Sequence, residues 1–196
     1  MKTRKRILIT GANGFTGQHA CQYFLSKNYD VVSVVRELPT KPDPKYQYVR
    51  CELTDKHSVS RMIREIKPDL ILHLAGKNAV PESWEDPINY IETNVMSTVY
   101  LVEEIRKINP QCKMIVVGSS LQYEPTAELP NHPYSLSKTL QAMVGQTWAH
   151  LFNLDILVAK PTNLIGPGPS TGVCSIFAKK LLQMEKGKVP PVIEIQ

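Results

Sequence analysis

Residues 6–17 read Arg6-Ile7-Leu8-Ile9-Thr10-Gly11-Ala12-Asn13-Gly14-Phe15-Thr16-Gly17, and this stretch decides the fold. A short apolar run ends in a glycine-rich turn, and a helical pattern over Thr16–Lys27 starts at once. A second β-rich run, Val31–Val35, follows about twenty residues on. In that context the three glycines have separate tasks. Gly11 permits the tight turn, Gly14 lets the backbone approach a pyrophosphate, and Gly17 lets the helix pack closely. The helix N-terminus offers free N–H groups to phosphate oxygens. Asn13 and Phe15, inside the loop, join the glycines as candidate cofactor contacts. The alternative, three turn glycines without a ligand, does not explain why a strand precedes them and a helix follows.

Outward from the loop, short β-rich runs alternate with longer helical patterns, as a parallel sheet with crossover helices requires. The expected strands are Arg6–Thr10, Val31–Val35, Tyr48–Cys51, Leu70–Leu74, Met114–Val117 and Asp155–Ala159. The expected helices are Thr16–Lys27, Lys56–Ile66, Ile88–Ile108, Tyr134–Leu151 and Cys174–Lys186, with apolar residues at three- and four-residue spacing, as in Val59, Met62, Ile63 and Ile66. The fold class is α/β, a Rossmann doubly wound parallel sheet over residues 1–160. The prolines and glycines from Pro161 to Pro169 break the alternation. Residues 161–196 then read as the beginning of a substrate-binding lobe, incomplete, whose ending Val192-Ile193-Glu194-Ile195 resembles a new strand.

Composition narrows the function classes. The chain has 196 residues, 42% hydrophobic and 21% charged, enough for a packed core. No apolar run approaches the roughly 20 residues that span a bilayer, so no membrane partner is expected. The basic start is followed by too few apolar residues for an export signal. The four cysteines, Cys21, Cys51, Cys112 and Cys174, form no C-x-x-C pair and read as reduced thiols of a cytoplasmic protein, with no metal site. The net charge of +5 is not interleaved with aromatics, so nucleic acid is not an expected partner.

The strand ends supply further candidates. Strand two closes Val34-Val35-Arg36-Glu37, with Val35 where an NAD site usually places a ribose-binding acid. The Arg36 guanidinium suits a 2′-phosphate, which favours NADP(H) over NAD(H). Glu37 on the ribose, with Arg36 merely solvated, is the alternative. Glu52 can accept from the adenine amino group or serve as a surface or capping acid, and Leu53 adjoins it. Leu74, Ala75 and Gly76 end strand four where small residues admit a cofactor. His73 reads as a packed, hydrogen-bonded core histidine.

Tyr134-Ser135-Leu136-Ser137-Lys138 places a phenol and an ammonium on one helix face. A nearby ammonium favours the phenolate and brings it toward acid/base use. Strand five ends Gly118-Ser119-Ser120, so Ser119, Tyr134 and Lys138 converge on the carboxyl edge of the sheet. Ser119 can bond a substrate oxygen shared with the tyrosine. A surface Tyr–Lys pair is the alternative.

With these residues in view, the chain resembles the extended short-chain dehydrogenases, the NAD-dependent epimerase/dehydratase group acting on nucleotide sugars. The resemblance rests on Gly11, Gly14 and Gly17, on His73-Leu74-Ala75-Gly76, Asn94-Val95, Ser119, Tyr134 and Lys138, and on Pro161-Thr162-Asn163-Leu164-Ile165-Gly166-Pro167-Gly168. It implies that Lys138 also holds the nicotinamide ribose, that Asn94 supports the site, that Pro161 lies by the cofactor and that Asn163 meets the substrate diphosphate. Capping the turn at Gly166 is the other reading of Asn163. The stretch from Asn163, with Phe177-Ala178-Lys179-Lys180 and the segment from Gly187, is most similar to the GDP-4-keto-6-deoxy-mannose reductases. A homodimer through the Ile88–Ile108 and Tyr134–Leu151 helices is also implied, although their apolar faces can equally cover the sheet. The chain departs from the family in a shorter Ser119–Tyr134 segment, in Glu124 where a glycine is customary, and in Lys160 in place of arginine.

Family dehydratases often carry a carboxylate two or three residues after the catalytic serine or threonine. Here Ser120, Leu121 and Gln122 follow Ser119. An epimerase that cycles a bound cofactor usually goes with NAD, which Arg36 disfavours. The expected reaction is therefore NADPH-dependent reduction of a 4-keto-6-deoxy nucleotide sugar. Epimerase or dehydratase chemistry is the alternative, and a non-catalytic NADP-binding sensor is another.

Overall fold

The computed structural model describes residues 4–170, 172–190 and 192. Among them, six strands form one parallel sheet: β1 (Arg6–Thr10), β2 (Asp30–Val35), β3 (Gln47–Arg50), β4 (Leu70–His73), β5 (Lys113–Val117) and β6 (Ile156–Ala159). Their order is β3-β2-β1-β4-β5-β6. The chain builds outward from β1, then returns to start β4 on the other side. In doubly wound sheets the crevice at that reversal, outside the carboxyl ends of the strands, takes the ligand.

The helices are α1 (Phe15–Ser26), α2 (Lys56–Ile66), α3 (Val80–Glu85), α4 (Pro87–Tyr90), α5 (Ser97–Ile108), α6 (Pro133–Phe152) and α7 (Val173–Glu185), with a π turn over Ile91–Met96 between α4 and α5. Strand alternation divides the core in two. Leu8, Val32, Val34, Ile71, Met114 and Val116 meet Val59, Met62 and Ile63 of α2 and Leu101, Val102 and Ile105 of α5. Ile7, Ile9, Val31 and Val35 meet Ala20, Cys21, Phe24 and Leu25 of α1 on the opposite side. This explains the unbroken apolar run of β1, since a central parallel strand is covered on both faces. Each fully buried Val, Leu, Ile or Met among them contributes about 1.5–3 kcal/mol.

Local chemistry sets the helix ends. The Asp55 carboxylate caps α2 by accepting from the His57 and Ser58 amides at 3.0 and 3.2 Å. Pro133 opens α6, and the His132 ring accepts from the Ser135 amide at 2.9 Å. The helix expected over Ile88–Ile108 is a longer rod interrupted by the π turn, and α3 before it had no counterpart in the sequence reading. Among the described residues no helix is long and apolar enough to cross a membrane.

The chain divides into two compact units, Met1–Thr162 and Asn163–Gln196. In the second, α7 leaves Val173, Ile176, Leu181 and Leu182 exposed. The strand-like ending Ile193-Glu194-Ile195 lies outside the described residues.

Candidate active site

The loop after β1 follows from its glycines. Gly11 has φ +66°, and a Cβ there would stand 2.9 Å from the Ala75 amide nitrogen. The turn therefore needs a residue without a side chain both for its backbone and for its contact with the end of β4. At Gly17 a Cβ would lie 2.1 Å from the Gly11 carbonyl oxygen, an overlap that would drive α1 off the loop. Gly14 is the N-cap of α1, with no side-chain cap and no acid in the first turn. The positive end of the helix dipole is thus left for an anion, and the loop fits a dinucleotide phosphate. Asn13 reaches across to the Glu37 carbonyl at 3.5 Å, tying the loop to the segment after β2. Arg36 is exposed immediately beyond β2, and Phe15 opens α1. Glu52 is exposed and accepts from the amide and hydroxyl of Thr54 at 3.1 and 2.8 Å, a local turn before the Asp55 cap of α2; Leu53 packs against the core.

At the end of β4, Ala75 donates to the Thr10 hydroxyl at 3.1 Å, joining β4 to β1 beside the glycine loop. His73 is fully buried, with Nδ1 2.8 Å from Thr10 and Nε2 3.0 Å from Thr98. Burial, with a smaller push from Lys138, lowers its pKa to about 3, so the imidazole is neutral. That is the core role read from the sequence. The π turn places Asn94 in the same interior. Its oxygen accepts from the Lys77 amide at 2.8 Å, and its nitrogen donates to the Lys77 carbonyl at 3.1 Å and to Ser137 Oγ at 2.9 Å. Asn94 thereby fixes the β4–α3 connection to α6, a use of π turns seen at functional sites.

Ser119, Tyr134 and Lys138 come together beyond β5, each less than 10% exposed. The Tyr134 ring lies between neighbours, stacked 6.0 Å from His132 and edge-on 6.2 Å from Tyr90. Burial raises the phenol's pKa, and its hydrogen bond with Ser119 opposes part of that rise. Ser119 Oγ also accepts from the Leu121 amide at 3.1 Å, which orients the hydroxyl. Next to it, Ser120, Leu121, Gln122, Tyr123, Glu128 and Leu129 line part of a cavity of about 220 Å³.

Lys138 differs from the sequence expectation. Its ammonium donates to the Val117 carbonyl at 2.7 Å and to Gln141 Oε1 at 2.5 Å. The influences on the Tyr134 phenol are its burial and Ser119, not a pull from the lysine. Burial also lowers Lys138 itself to about 8. The expected one-face pairing overlooked two stronger acceptors that the sheet edge and the next helical turn present. Sequence reasoning likewise missed Thr98 and Gln141. Gln141 stands three residues beyond Lys138 and seven beyond Tyr134 on one helix face, a spacing that could have flagged it. Pro161 accepts from the Ser120 amide at 2.9 Å, closing the loop that carries Ser119. Asn163 belongs to the second unit and is exposed.

The family model for the NAD dependent epimerase/dehydratase family matches residues 7–196. The chain is 27% identical to a GDP-6-deoxy-D-mannose reductase of Pseudomonas aeruginosa, over 93% of this chain and 60% of that protein. It is also 27% identical to a UDP-glucose 4-epimerase of Mycolicibacterium smegmatis, over 94% of this chain and 65% of the relative. Its fold matches a UDP-glucose 4-epimerase of Thermus thermophilus in complex with NAD, with TM-score 0.75 and 24% identity over 91% of this chain and 63% of that one. The chain thus spans less than two thirds of the length of these proteins.

Proposed function

The chain belongs to the NAD dependent epimerase/dehydratase family, and we propose that it serves the NADPH-dependent reduction of a 4-keto-6-deoxy nucleotide sugar, GDP-sugar-like, in deoxysugar or polysaccharide biosynthesis. The observation that carries this reading is the burial of Ser119 and Tyr134 together at the carboxyl edge of β5, close enough for the serine to offset part of the rise that burial gives the phenol. Ser120, Leu121 and Gln122 follow it, so dehydration lacks the carboxylate that it would use there. The Pseudomonas aeruginosa reductase supports the substrate class. The cofactor-binding set is Gly11, Asn13, Gly14, Phe15, Gly17, Arg36, Glu52, Leu53, Leu74, Ala75, Gly76, Asn94, Tyr134, Lys138 and Pro161. Ser119 and Asn163 are the substrate contacts.

A bound reduced nicotinamide supplies hydride to the carbonyl carbon. This chain's residues handle the oxygen. Ser119 donates a hydrogen bond that orients it, and Tyr134 delivers the proton that completes the hydroxyl. The raised phenol pKa keeps that proton in place at neutral pH, so Tyr134 acts as an acid. Lys138, held by Val117 and Gln141, provides positive charge near the phenol and keeps one N–H for the ribose. Arg36 supports NADPH over NADH by pairing with a 2′-phosphate.

The test follows NADPH absorbance with a panel of 4-keto-6-deoxy nucleotide sugars, with UDP-glucose as the epimerase arm. Oxidation of NADPH on a keto-sugar is expected. Conversion of UDP-glucose to its 4-epimer without net cofactor change would instead establish the chemistry named for the Mycolicibacterium smegmatis relative. A homodimer through α5 and α6, whose Met143 and Leu151 are exposed, and a cytoplasmic location complete the proposal. Sedimentation of the protein tests the dimer.

A further inference from the structure

A chain of buried polar groups runs from the catalytic lysine to the glycine loop, and each link has only one direction. Lysine nitrogen in its charged form only donates, so the Gln141 atom facing it must be the oxygen. The Gln141 amide NH₂ then faces Thr98 and donates to its hydroxyl at 2.9 Å. Thr98 has one proton, and it goes to the Asn94 carbonyl at 2.8 Å. Toward His73, 3.0 Å away, Thr98 can therefore only accept, which puts the imidazole proton on Nε2. Ser97 donates to the Thr93 carbonyl, so it too only accepts from that nitrogen, at 3.3 Å. His73 Nδ1 is left as an acceptor for the Thr10 hydroxyl at 2.8 Å, and Thr10 in turn accepts from Ala75. Thr10 is the residue before Gly11.

Gln141, His73, Thr98, Thr10 and Asn94 are all buried. A hydrogen-bonded chain in a low-dielectric interior holds its direction, because reversing one link leaves another group unpaired. Of the three ammonium hydrogens of Lys138, Val117 and Gln141 take two. One remains for a bound group. Gly76 keeps the space beside it open, since a Cβ there would meet Asn94 Oδ1 at 2.8 Å and lie 3.8 Å from Lys138 Nζ.

We propose that Gln141, locked by Thr98 and His73, is a positioning residue for Lys138: it holds the lysine in its charged form and directs the one unpaired N–H toward the bound nucleotide. The effect on turnover rests on the function proposed above, but the effect on Lys138 does not. The ionisable group facing Lys138 is His73 from β4; Tyr134, one turn earlier on the same helix, is governed by its burial and Ser119 and not by the lysine. The π turn and α5 present Asn94, Ser97 and Thr98, and β5 presents the Val117 carbonyl, none of which titrates. His73 is neutral through the range in which Lys138 changes charge.

The test is the titration of the Lys138 Nζ resonance by ¹⁵N NMR, assigned with Lys138→Met, in wild type, Gln141→Glu, Gln141→Leu and Thr98→Val. A carboxylate in place of the amide raises the midpoint by about 1–3 units, the usual effect of an opposite charge at contact. Gln141→Leu removes an acceptor of the charged form and lowers it. Thr98→Val keeps the shape and the Gln141–Lys138 contact but frees the amide to turn, so it lowers the midpoint by less than Gln141→Leu does. Dinucleotide affinity against pH follows the same order. Thr98→Val leaves both titrating groups in place and serves if either Gln141 variant fails to fold. A Lys138 midpoint that stays put in the folded variants overturns the proposal. Full turnover of Tyr134→Phe would overturn the catalytic reading while leaving a shifted Lys138 midpoint standing.

Discussion

Replacing Lys138 by methionine gives a stability effect whose sign and size come from the buried ammonium. Lys138 is 6% exposed, and burial lowers its pKa from the ordinary 10.5 to about 8. Between those values the unfolded chain holds a proton that the folded chain has lost. Unfolding there takes up a proton, so rising pH stabilises the wild type. Below about pH 8 both states are charged, and the burial of the charge is felt in full. One pKa unit corresponds to about 1.4 kcal/mol. From pH 7 to pH 9.5 the wild type should therefore gain about 2 kcal/mol relative to Lys138→Met. The groups common to both proteins cancel in that comparison. The assay is equilibrium urea unfolding of both proteins at half-unit pH intervals, with equal slopes required before the midpoints are compared. Parallel stability curves from pH 7 to 9.5 would refute the reasoning, because they would mean that the lysine is solvated or already neutral in the folded state.

Gly17→Ala should destabilise the chain by at least about 1–3 kcal/mol and weaken dinucleotide binding, since the new Cβ meets the Gly11 carbonyl at 2.1 Å; unfolding midpoints and a binding titration that match wild type would contradict this. Arg36→Ala should remove a preference for NADPH over NADH, read by fluorescence titration of both, and a preference that survives would show that another group holds the 2′-phosphate. His73 is neutral in the fold with a pKa lowered to about 3, so below the ordinary 6.5 only the unfolded chain takes the proton. Relative to His73→Gln, wild type should lose about 1.4 kcal/mol per pH unit as pH falls from 6.5 toward 3, and acid unfolding curves that fall together would contradict it.

The fold was legible because β1, the glycine loop and α1 are local. Their alternation, turn chemistry and helical spacing are all written within residues 6–27. The amphipathic α2 was equally plain, its apolar residues falling on one face at three- and four-residue intervals. The π turn over Ile91–Met96 left no periodic signal, because one widened turn shifts the face of the rod without changing residue types. The short α3 is too brief for periodicity to show. At the site, the Ser119–Tyr134 pairing could be anticipated from strand and helix ends. The ligands of Lys138 could not. A backbone carbonyl of β5 leaves no trace in side-chain pattern, and a glutamine in a helix ordinarily reads as solvent-facing, whereas Gln141 is fully buried.

Delivery of the proton by Tyr134 to a ketone oxygen reduced by NADPH can be read from single-turnover transfer from deuterated NADPH to a 4-keto-6-deoxy nucleotide sugar, in wild type and Tyr134→Phe. Deuterium should appear at C4 of the product in wild type. Tyr134→Phe should bind cofactor normally yet transfer about 10²–10⁴-fold more slowly, the usual loss for a positioned general acid. Transfer at the wild-type rate by Tyr134→Phe, with cofactor bound as before, would place the proton donor elsewhere and contradict the account.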